Sequence, residues 1–267
     1  MSQLKGKKVL ITGGASGIGR LMGKIVLQKG AELIIWDINP TSISETVAEL
    51  QILGKVYTYQ LDVSDINQIK QTAAKVKSDC GRVDILINNA GIVVGKYFDE
   101  HTTEEIKRTM EINAGAPMYI SSEFLPDMIA GKLGHICNIA SSAGFISNPR
   151  MSVYAASKWA VIGWSDSVRL EMKFRKTGVN ISTVTPYYIN TGMFDGVKSL
   201  IPLLNPEKVA RQIIRGIEKN QKIISMPFSM HFIRACQGLL SINLFDWVAG
   251  NVLQIYKTMD HFTGRKQ

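Results

Sequence analysis

The chain has 267 residues, of which 45% are hydrophobic and 20% charged, as is ordinary for a soluble globular protein. A chain of this length can bury a substantial core without disulfide bonds or bound metal. Its formal charge is +9, but the basic residues are scattered and are not interleaved with aromatic residues, which argues against a nucleic-acid-binding protein. Three widely spaced cysteines without a CxxC pair predict neither a disulfide framework nor a metal site.

The sequence contains no pattern typical of export or of a membrane-spanning helix. Residues 1–8 are polar and lead directly into an apolar run, without the apolar stretch of a signal peptide. No uninterrupted apolar run reaches the roughly 18 residues that a spanning helix needs. We therefore expect a cytoplasmic protein, and the positive charge leaves weak peripheral contact with an anionic membrane open.

Short apolar runs that are typical of strands alternate with longer helical patterns. In chain order we predict strand 9–12, helix 21–29, strand 32–36, helix 41–53, strand 55–60, helix 66–77, strand 85–87, helix 104–128, strand 134–139, helix 154–176, strand 180–184, helix 206–219 and strand 222–225. This alternation predicts an α/β fold: a single doubly wound Rossmann-type domain over residues 1–267, with a parallel sheet of about seven strands and helices on both faces.

A glycine-rich segment, residues 12–19, lies between the first predicted strand and the first predicted helix. Glycines permit a tight turn and let a pyrophosphate approach the backbone N–H groups at a helix N-terminus. A purely structural turn is the alternative, but the position between strand and helix favours a dinucleotide-binding loop. The predicted cofactor contacts in this loop are Gly13, Ser16, Gly17, Ile18 and Gly19.

Two acidic residues follow the second and third predicted strands. Asp37 is placed to accept hydrogen bonds from the adenosine ribose hydroxyls, and its charge would repel a 2′-phosphate. We therefore predict NAD rather than NADP as the cofactor, although Arg20 beside the loop leaves the discrimination incomplete. Asp62, followed by Val63, is placed to contact the adenine, or else to cap the next helix.

Tyr154 and Lys158 are four residues apart in a predicted helix and therefore share one face. A free phenol has a pKa of about 10, which is too high for an efficient base, and a neighbouring ammonium should lower that pKa. Tyr154 could then remove a hydroxyl proton from a substrate while a hydride leaves to a nicotinamide. Alone, a tyrosine and a lysine at this spacing are usually just neighbours on the surface of a helix.

A serine follows the fifth predicted strand, where a hydroxyl would bind the substrate oxygen. It is Ser141, or Ser142 by chemistry alone.

Taken together, these motifs resemble the short-chain dehydrogenase/reductase family over nearly the whole chain. The resemblance rests on the glycine segment 12–19, Asn-Asn-Ala-Gly at 88–91, Asn113, Ser141 and Tyr-Ala-Ala-Ser-Lys at 154–158. It implies that Ser141 is the catalytic serine, that Asn113 sustains a water-linked proton relay to Lys158, and that Lys158 binds the nicotinamide ribose. It also implies cofactor contacts from Asn89, Ala90, Gly91, Ile189 and Thr191.

Within that family the chain resembles the branch of retinol dehydrogenases and 17β-hydroxysteroid dehydrogenases. This finer resemblance rests on residues 36–39, 138–144 and the tail from 226–227 to 259–262. It implies a bulky apolar alcohol or ketone as substrate, and the family implies a homodimer or homotetramer. In one departure, Tyr187 follows Pro186 where the family usually has glycine, so we expect a different loop geometry and pocket shape.

Two apolar segments frame the expected substrate site. Residues 190–205 could close over a substrate as a lid, and the predicted substrate contacts are Ser141, Phe145, Tyr187 and Met193. Ordinary packing accounts for the last three equally well. Residues 226–262 predict amphipathic helices that cap the pocket, join a subunit interface, touch a membrane or simply pack on their own domain.

The sequence thus favours an oxidoreductase that transfers a hydride between NAD(H) and a hydroxysteroid- or retinol-like substrate. One alternative is an NADPH-dependent reductase of 3-oxoacyl or other carbonyl substrates, which Asp37 disfavours. Another is a dinucleotide-binding scaffold without turnover, which the presence of Ser141, Tyr154 and Lys158 disfavours.

Overall fold

A single sheet of seven parallel strands organises the computed structural model, which describes residues 3–264. The strand order is β3-β2-β1-β4-β5-β6-β7, with β1 (Lys8–Thr12), β2 (Glu32–Asp37), β3 (Val56–Gln60), β4 (Ile85–Asn88), β5 (Gly134–Ile139), β6 (Val179–Pro186) and β7 (Ile223–Met226). The order reverses between β1 and β4, and ligands of such sheets bind beyond the carboxyl ends of the strands at this point. The predicted α/β class and parallel sheet are confirmed.

The helices are α1 (Gly17–Gln28), α2 (Pro40–Leu50), α3 (Ile66–Cys80), α4 (Thr103–Met110), α5 (Ala116–Ala130), α6 (Ser152–Phe174), α7 (Pro206–Glu218), α8 (Ile233–Leu239) and α9 (Ile242–Trp247). The prediction that the first helix starts at Leu21 was wrong, because α1 begins inside the glycine loop at Gly17. Glycine has a low helix propensity, yet a ligand-binding turn needs its compact backbone at this position.

The two faces of the sheet are covered by different helices because successive strand residues point to opposite sides. Val9 and Ile11 of β1 pack in one apolar cluster with α1 and α7, whereas Leu10 packs in a second cluster with α3 and α5. Both sides of the strand are therefore buried, which explains why the strands read as continuous apolar runs.

The long helix predicted over residues 104–128 is interrupted by a π-helical turn, Glu111–Gly115, between α4 and α5. The backbone N–H of Ala116 donates to the carbonyl of Glu111, five residues earlier. Pro117 has no N–H, so it cannot donate to the carbonyl of Asn113 as a regular α-helix would require. The predicted helical region is therefore found, but it consists of two α-helices joined by a π-helical turn, and the proline provides the physical reason for the turn.

The predicted lid, residues 190–205, contains no regular helix and forms a loop whose ends lie together. The N–H of Asn190 donates to the carbonyl of Leu204 at 3.0 Å, and the N–H of Leu204 donates to the carbonyl of Tyr188 at 2.8 Å. The loop is therefore closed at its base by backbone hydrogen bonds.

The C-terminal segment 226–262 forms the short helices α8 and α9 and a second π-helical turn, Val248–Val252. Its inner side chains, including Met230, Ile233 and Met259, pack in a third apolar cluster around Tyr154. Its outer face mixes polar residues with an unusual number of exposed large apolar side chains, namely Phe228, Phe232, Leu239, Ile242, Leu244, Trp247, Val252 and Leu253. Within residues 3–264, no helix combines the length and apolar character required to cross a bilayer.

Candidate active site

The glycine loop after β1 shapes the floor of a cleft. Gly13 has a φ of +61°, and a Cβ there would lie 3.1 Å from the Cα of Ala90. A Cβ on Gly19 would collide with the carbonyl oxygen of Gly13. The loop can therefore fold back on itself and meet the β4 end only with glycines at these positions. The first N–H groups of α1 have no partner within the helix, so this loop is suited to an anionic group.

The ends of β1 and β4 are joined by side chains just beneath this loop. The Oγ1 of Thr12 accepts hydrogen bonds from the N–H groups of Asn89 and Ala90, at 2.9 and 3.0 Å. The Asn89 amide donates to the carbonyls of Thr12 and Gly13, at 2.9 and 3.1 Å. The segment 89–91 is thereby held against the glycine loop at the switch point of the sheet.

Asp37 lies at the end of β2 and lines a cavity of about 290 Å³ together with Asp62 and Val63. One of its carboxylate oxygens accepts the backbone N–H of Ala15 at 3.0 Å, and the other accepts that of Asn39 at 3.2 Å. The carboxylate is thereby fixed beside the glycine loop, where adenosine ribose hydroxyls would lie.

The basic residues near this cavity differ in their placement. The Arg20 guanidinium forms an ion pair with Glu49 of α2, and Arg20 does not line the cavity. Arg108 does line it, 3.8 Å from an oxygen of Asp62. Sequence reasoning missed Arg108, because only the fold brings α4 to the end of β3.

Tyr154, Ser141 and Lys158 line one cleft of about 150 Å³. Tyr154 and Lys158 are 5% and 4% exposed, and Ser141 lies on the same cleft as the Tyr154 phenol and lowers its pKa. The Nζ of Lys158 lies 5.5 Å from the centre of the Tyr154 ring and donates to the carbonyl of Ile139 at 3.0 Å. The fold thus brings together an acid/base candidate, a hydroxyl and a buried cation.

The pKa shifts of the pair have burial as their first cause. Burial raises the pKa of the Tyr154 phenol above its ordinary value, and its hydrogen bond with Ser141 opposes this only in part. Burial also lowers the pKa of Lys158 to about 8. The expected net lowering of the tyrosine pKa by the ammonium is therefore not found in the protein itself. A further positive charge in the cleft would lower the pKa of Tyr154.

Asn113 lies in the π-helical turn and is almost fully buried. Its amide oxygen accepts the N–H of Ile92 at 2.8 Å, and its amide nitrogen donates to the carbonyl of Ile92 at 2.9 Å and to Ser157 at 3.1 Å. A Cβ on Gly91 would lie 3.2 Å from the Asn113 Oδ1 and 3.6 Å from the Lys158 Nζ, so both atoms flank this glycine. Asn113 therefore lies behind the cleft, on the side of Lys158.

Most of the residues singled out by the sequence surround two adjoining cavities. The cleft is lined by Gly13, Ser16, Gly17, Ile18, Asn89, Gly91, Ser141, Tyr154, Lys158, Tyr187, Ile189, Thr191 and Met193, and the cavity at Asp37 adds Asp62, Val63 and Ala90. Gly13, Ser16 and Gly91 line both cavities, so the two form one elongated crevice.

Phe145 is not brought into the cleft, contrary to the sequence-based expectation. Its ring packs 4.6 Å beneath the Arg234 guanidinium, and its carbonyl accepts from Gln237 at 2.6 Å. Instead, Phe194 of the lid lines the cleft. From the sequence, Phe194 is only one of several apolar residues in the predicted lid 190–205. No local pattern indicates which of these side chains faces the cleft.

Comparisons with known proteins agree with this geometry. A family profile described as "short chain dehydrogenase" matches residues 7–200. Epidermal retinol dehydrogenase 2 of Mus musculus is 36% identical over 269 residues, covering 98% of this chain and 87% of that protein. Estradiol 17-beta-dehydrogenase 11 of Homo sapiens is 37% identical over 238 residues, covering 88% of this chain and 79% of that protein.

Solved structures share the fold. A short-chain dehydrogenase/reductase from Burkholderia phymatum in complex with NAD superposes with a TM-score of 0.81 at 24% identity, covering 88% of this chain and 94% of that one. A metagenomic short-chain oxidoreductase in complex with NADP gives a TM-score of 0.71 at 27% identity, covering 84% of this chain and 96% of that one. At 24% identity, the similarity to the Burkholderia phymatum structure shows the fold alone.

Proposed function

The chain belongs to the short-chain dehydrogenase/reductase family, in the branch of the retinol and 17β-hydroxysteroid dehydrogenases, and from this premise we propose its reaction. It is a nicotinamide-dependent oxidoreductase that acts on CH–OH groups. Our proposal is hydride transfer between NAD(H) and the hydroxyl or carbonyl carbon of a bulky apolar substrate, with Tyr154 as general acid/base. The observation that carries it is that Tyr154, Ser141 and the buried Lys158 all line one cleft at the carboxyl ends of the strands.

The crevice fits a dinucleotide. Added Cβ atoms at Gly13 and Gly19 would fill the turn in which the pyrophosphate would rest on the N-terminus of α1. Asp37 would receive the adenosine ribose, and Ile189 and Thr191 line the other end of the crevice with Lys158. When bound there, the cofactor supplies a hydride acceptor or donor at that end.

We propose NAD as the preferred cofactor. The Asp37 carboxylate is fixed at the ribose position by two backbone N–H groups, so a 2′-phosphate would meet its charge at short range. Arg20 does not line the cavity at Asp37 and is held by Glu49. Arg108 does line this cavity and lies 3.8 Å from a carboxylate oxygen of Asp62. The proposed preference for NAD over NADP therefore rests on the charge of Asp37.

The proton chemistry follows from the burial of Tyr154. Because burial raises the pKa of the phenol, Tyr154 is protonated at neutral pH and can donate to a carbonyl oxygen. In the reverse direction Tyr154 first releases its own proton towards the solvent, and the resulting phenolate, which the cation at Lys158 stabilises, then accepts the hydroxyl proton of the substrate. Ser141 holds the substrate oxygen through its hydroxyl.

Asn113 is proposed to support proton exchange with the solvent. Pro117 cannot donate to the Asn113 carbonyl, so this oxygen can accept from a water on the Lys158 side of the helix. The Asn113 side chain, clamped on the backbone of Ile92, fixes the position of that carbonyl.

We also propose two finer features, association into an oligomer and contact with a membrane. Exposed Tyr119 on α5, and Trp159 and Leu170 on α6, support association into a homodimer or homotetramer through these helices. The exposed apolar face of 226–262 supports weak peripheral contact with a membrane by a cytoplasmic protein.

The deciding experiment compares the wild type with Tyr154→Phe in a hydride-transfer assay on retinoid, steroid, 3-oxoacyl and aliphatic substrates, followed by NADH and NADPH absorbance. We expect turnover by the wild type and a loss of at least about 100-fold in the variant, with cofactor binding retained. Equal turnover would contradict the role of Tyr154. Cofactor binding without turnover by the wild type would favour a non-catalytic scaffold, and a preference for NADPH with 3-oxoacyl substrates would favour the reductase alternative.

A further inference from the structure

The lid places an aromatic ring directly against the catalytic tyrosine. The ring centres of Phe194 and Tyr154 are 6.1 Å apart, and the planes meet edge-on at 83°. Phe194 is only 8% exposed, and its other side packs on Tyr188 at 5.0 Å. The ring is therefore held from two sides at the point where a substrate carbon must approach Tyr154.

The lid around Phe194 is anchored at both of the tyrosines that follow β6. The Tyr187 hydroxyl hydrogen-bonds the Oγ of Ser199 in the lid at 2.8 Å. The Tyr188 hydroxyl hydrogen-bonds the Oγ1 of Thr258 at 3.0 Å and accepts from Asn148 at 3.0 Å. The tyrosine that replaces the usual glycine thus ties the lid down, and Phe194 cannot swing away without breaking buried contacts.

Phe194 also separates two spaces. A small cavity of about 20 Å³ lies behind the cleft and is lined by Met151, Tyr188 and Ile255. Ser141, Tyr187 and Phe194 line both this cavity and the cleft. Removing the Phe194 ring would therefore join the two spaces and widen the cleft next to Ser141 and Tyr154.

The space on the other side of the cleft is long and open. A groove of about 530 Å³ is lined by residues 91–96, Met193 and residues 262–264, and it shares only Gly91 and Met193 with the cleft. Pockets for drug-sized ligands span roughly 300–1,000 Å³, whereas the cleft has about 150 Å³ and would also have to hold the nicotinamide end of the cofactor. A large substrate must therefore keep most of its body in the groove and pass only a narrow end beyond Met193.

From this arrangement we propose that Phe194, with Met193, sets the width of the substrate and selects a slender, extended alcohol or aldehyde over a fused-ring secondary alcohol or ketone. The reactive end of an extended chain passes Met193 and reaches Ser141 and Tyr154, and its tail lies in the groove. A fused ring bearing the reactive carbon would overlap the Phe194 ring. This inference rests on the proposed function and narrows its substrate class.

The test compares the wild type, Phe194→Ala and Phe194→Leu on a long-chain primary alcohol and a steroid secondary alcohol, each with NAD. We expect the wild type to favour the chain alcohol in kcat/KM. Phe194→Ala should shift the ratio towards the steroid by roughly tenfold or more, with Phe194→Leu intermediate. Phe174→Ala, at an 88% exposed position at the end of α6, is the matched control and should leave the ratio unchanged.

A second readout separates this inference from the proposed function. The shift in melting temperature caused by each compound in the presence of NADH reports binding without turnover. If no variant turns over either compound, the proposed reaction fails, and the binding ratio still tests the width limit. A wild type that favours the steroid, or a ratio of the two compounds that Phe194→Ala leaves unchanged in both readouts, overturns the role of Phe194.

Discussion

The carboxylate of Asp37 accepts the backbone N–H of Ala15 at 3.0 Å, so the end of β2 holds the glycine loop directly. The residue proposed to select the cofactor is therefore also a structural support of the glycine loop. A substitution here can act through either role, and the two roles can be separated by keeping the hydrogen-bond acceptor while removing the charge.

We expect Asp37→Ala to raise the KM for NAD by roughly tenfold or more and to raise that for NADP much less, because the lost ribose contact matters only for NAD. Steady-state kinetics with both cofactors measure this effect. Asp37→Asn is the control, since it can still accept the Ala15 N–H but no longer repels a phosphate. It should improve the use of NADP, and equal changes for both cofactors in both variants would refute the ribose role.

Lys158→Met should make the protein more stable and less active. Burial lowers the pKa of Lys158 from 10.5 to about 8. At neutral pH the lysine is therefore charged in both states, but its charge is buried in the folded state and solvated in the unfolded state. Removing it should raise the free energy of unfolding by about 1–3 kcal/mol near pH 7, while kcat/KM falls at least roughly 100-fold.

The contribution of Lys158 also predicts the direction in which the stability of the wild type changes with pH. Between pH 8 and 10.5 the unfolded lysine keeps its proton and the folded one loses it, so Lys158 makes the wild type gain stability with rising pH. The Met variant should lack this contribution in urea titrations. If the free energy of unfolding changed equally with pH in the wild type and in Lys158→Met between pH 8 and 10.5, the buried charge on Lys158 would be contradicted.

His135 in β5 should make the protein sensitive to acid. It is buried, and its Nε2 lies 2.8 Å from the Oγ of Ser182. Burial lowers the pKa of His135 to about 4 from 6.5, so between these values the unfolded state binds a proton that the folded state does not. Because of His135, the free energy of unfolding should fall by on the order of 3 kcal/mol as the pH drops from 6.5 to about 4.

The matched variant is His135→Gln, which keeps a hydrogen-bonding group but cannot titrate. Urea unfolding at pH 7 and pH 4.5 should show a smaller loss for this variant than for the wild type. A loss of equal size would mean that other groups account for the acid sensitivity.

The exposed apolar face of the C-terminal segment predicts binding to lipid vesicles. Arg234 and Lys257 are offset by Asp246 and Asp260, so the segment itself has little net charge at neutral pH. Weak binding to phosphatidylcholine vesicles should therefore persist at high salt, because apolar insertion rather than attraction between charges would drive it.

A vesicle-flotation assay checks this prediction. The triple variant Phe232→Ser, Leu239→Ser and Trp247→Ser should float less than the wild type, whereas Ile52→Ser, at an 83% exposed position elsewhere, should not differ from it. Undiminished flotation of the triple variant would exclude this face as the contact.

The sequence predicted the sheet well because the strand signal is local. Val9, Leu10 and Ile11 are buried on both faces, and an uninterrupted apolar run is the direct consequence of that burial. The sequence also placed Ser141 and Tyr154 correctly relative to these elements, since Ser141 follows β5 and Tyr154 lies in the first turn of α6.

The shape of the substrate pocket was not predictable in the same way. Phe145 and Phe194 are both apolar residues in loops after strands, but Gln237 and Arg234, far along the chain, hold Phe145 away from the cleft. Likewise, the direction of the Tyr154 pKa shift depends on burial by the lid and the C-terminal segment. A helical spacing of four residues contains no information on that burial.

The π-helical turn Glu111–Gly115 means that this stretch contains one residue more than a regular helix would accommodate. Each helical residue advances the direction of its side chain by about 100°, so the surplus residue sets the relative rotation of α4 and α5. An evolutionary or engineered deletion of a single residue here would not restore regular helical bonding, because Pro117 would still lack an N–H, and it would rotate α4 and α5 relative to each other and disturb the position of Asn113 beside Gly91. The irregularity thus makes the spacing between Met110 and Pro117 intolerant of length changes, even though each helix on its own would tolerate them.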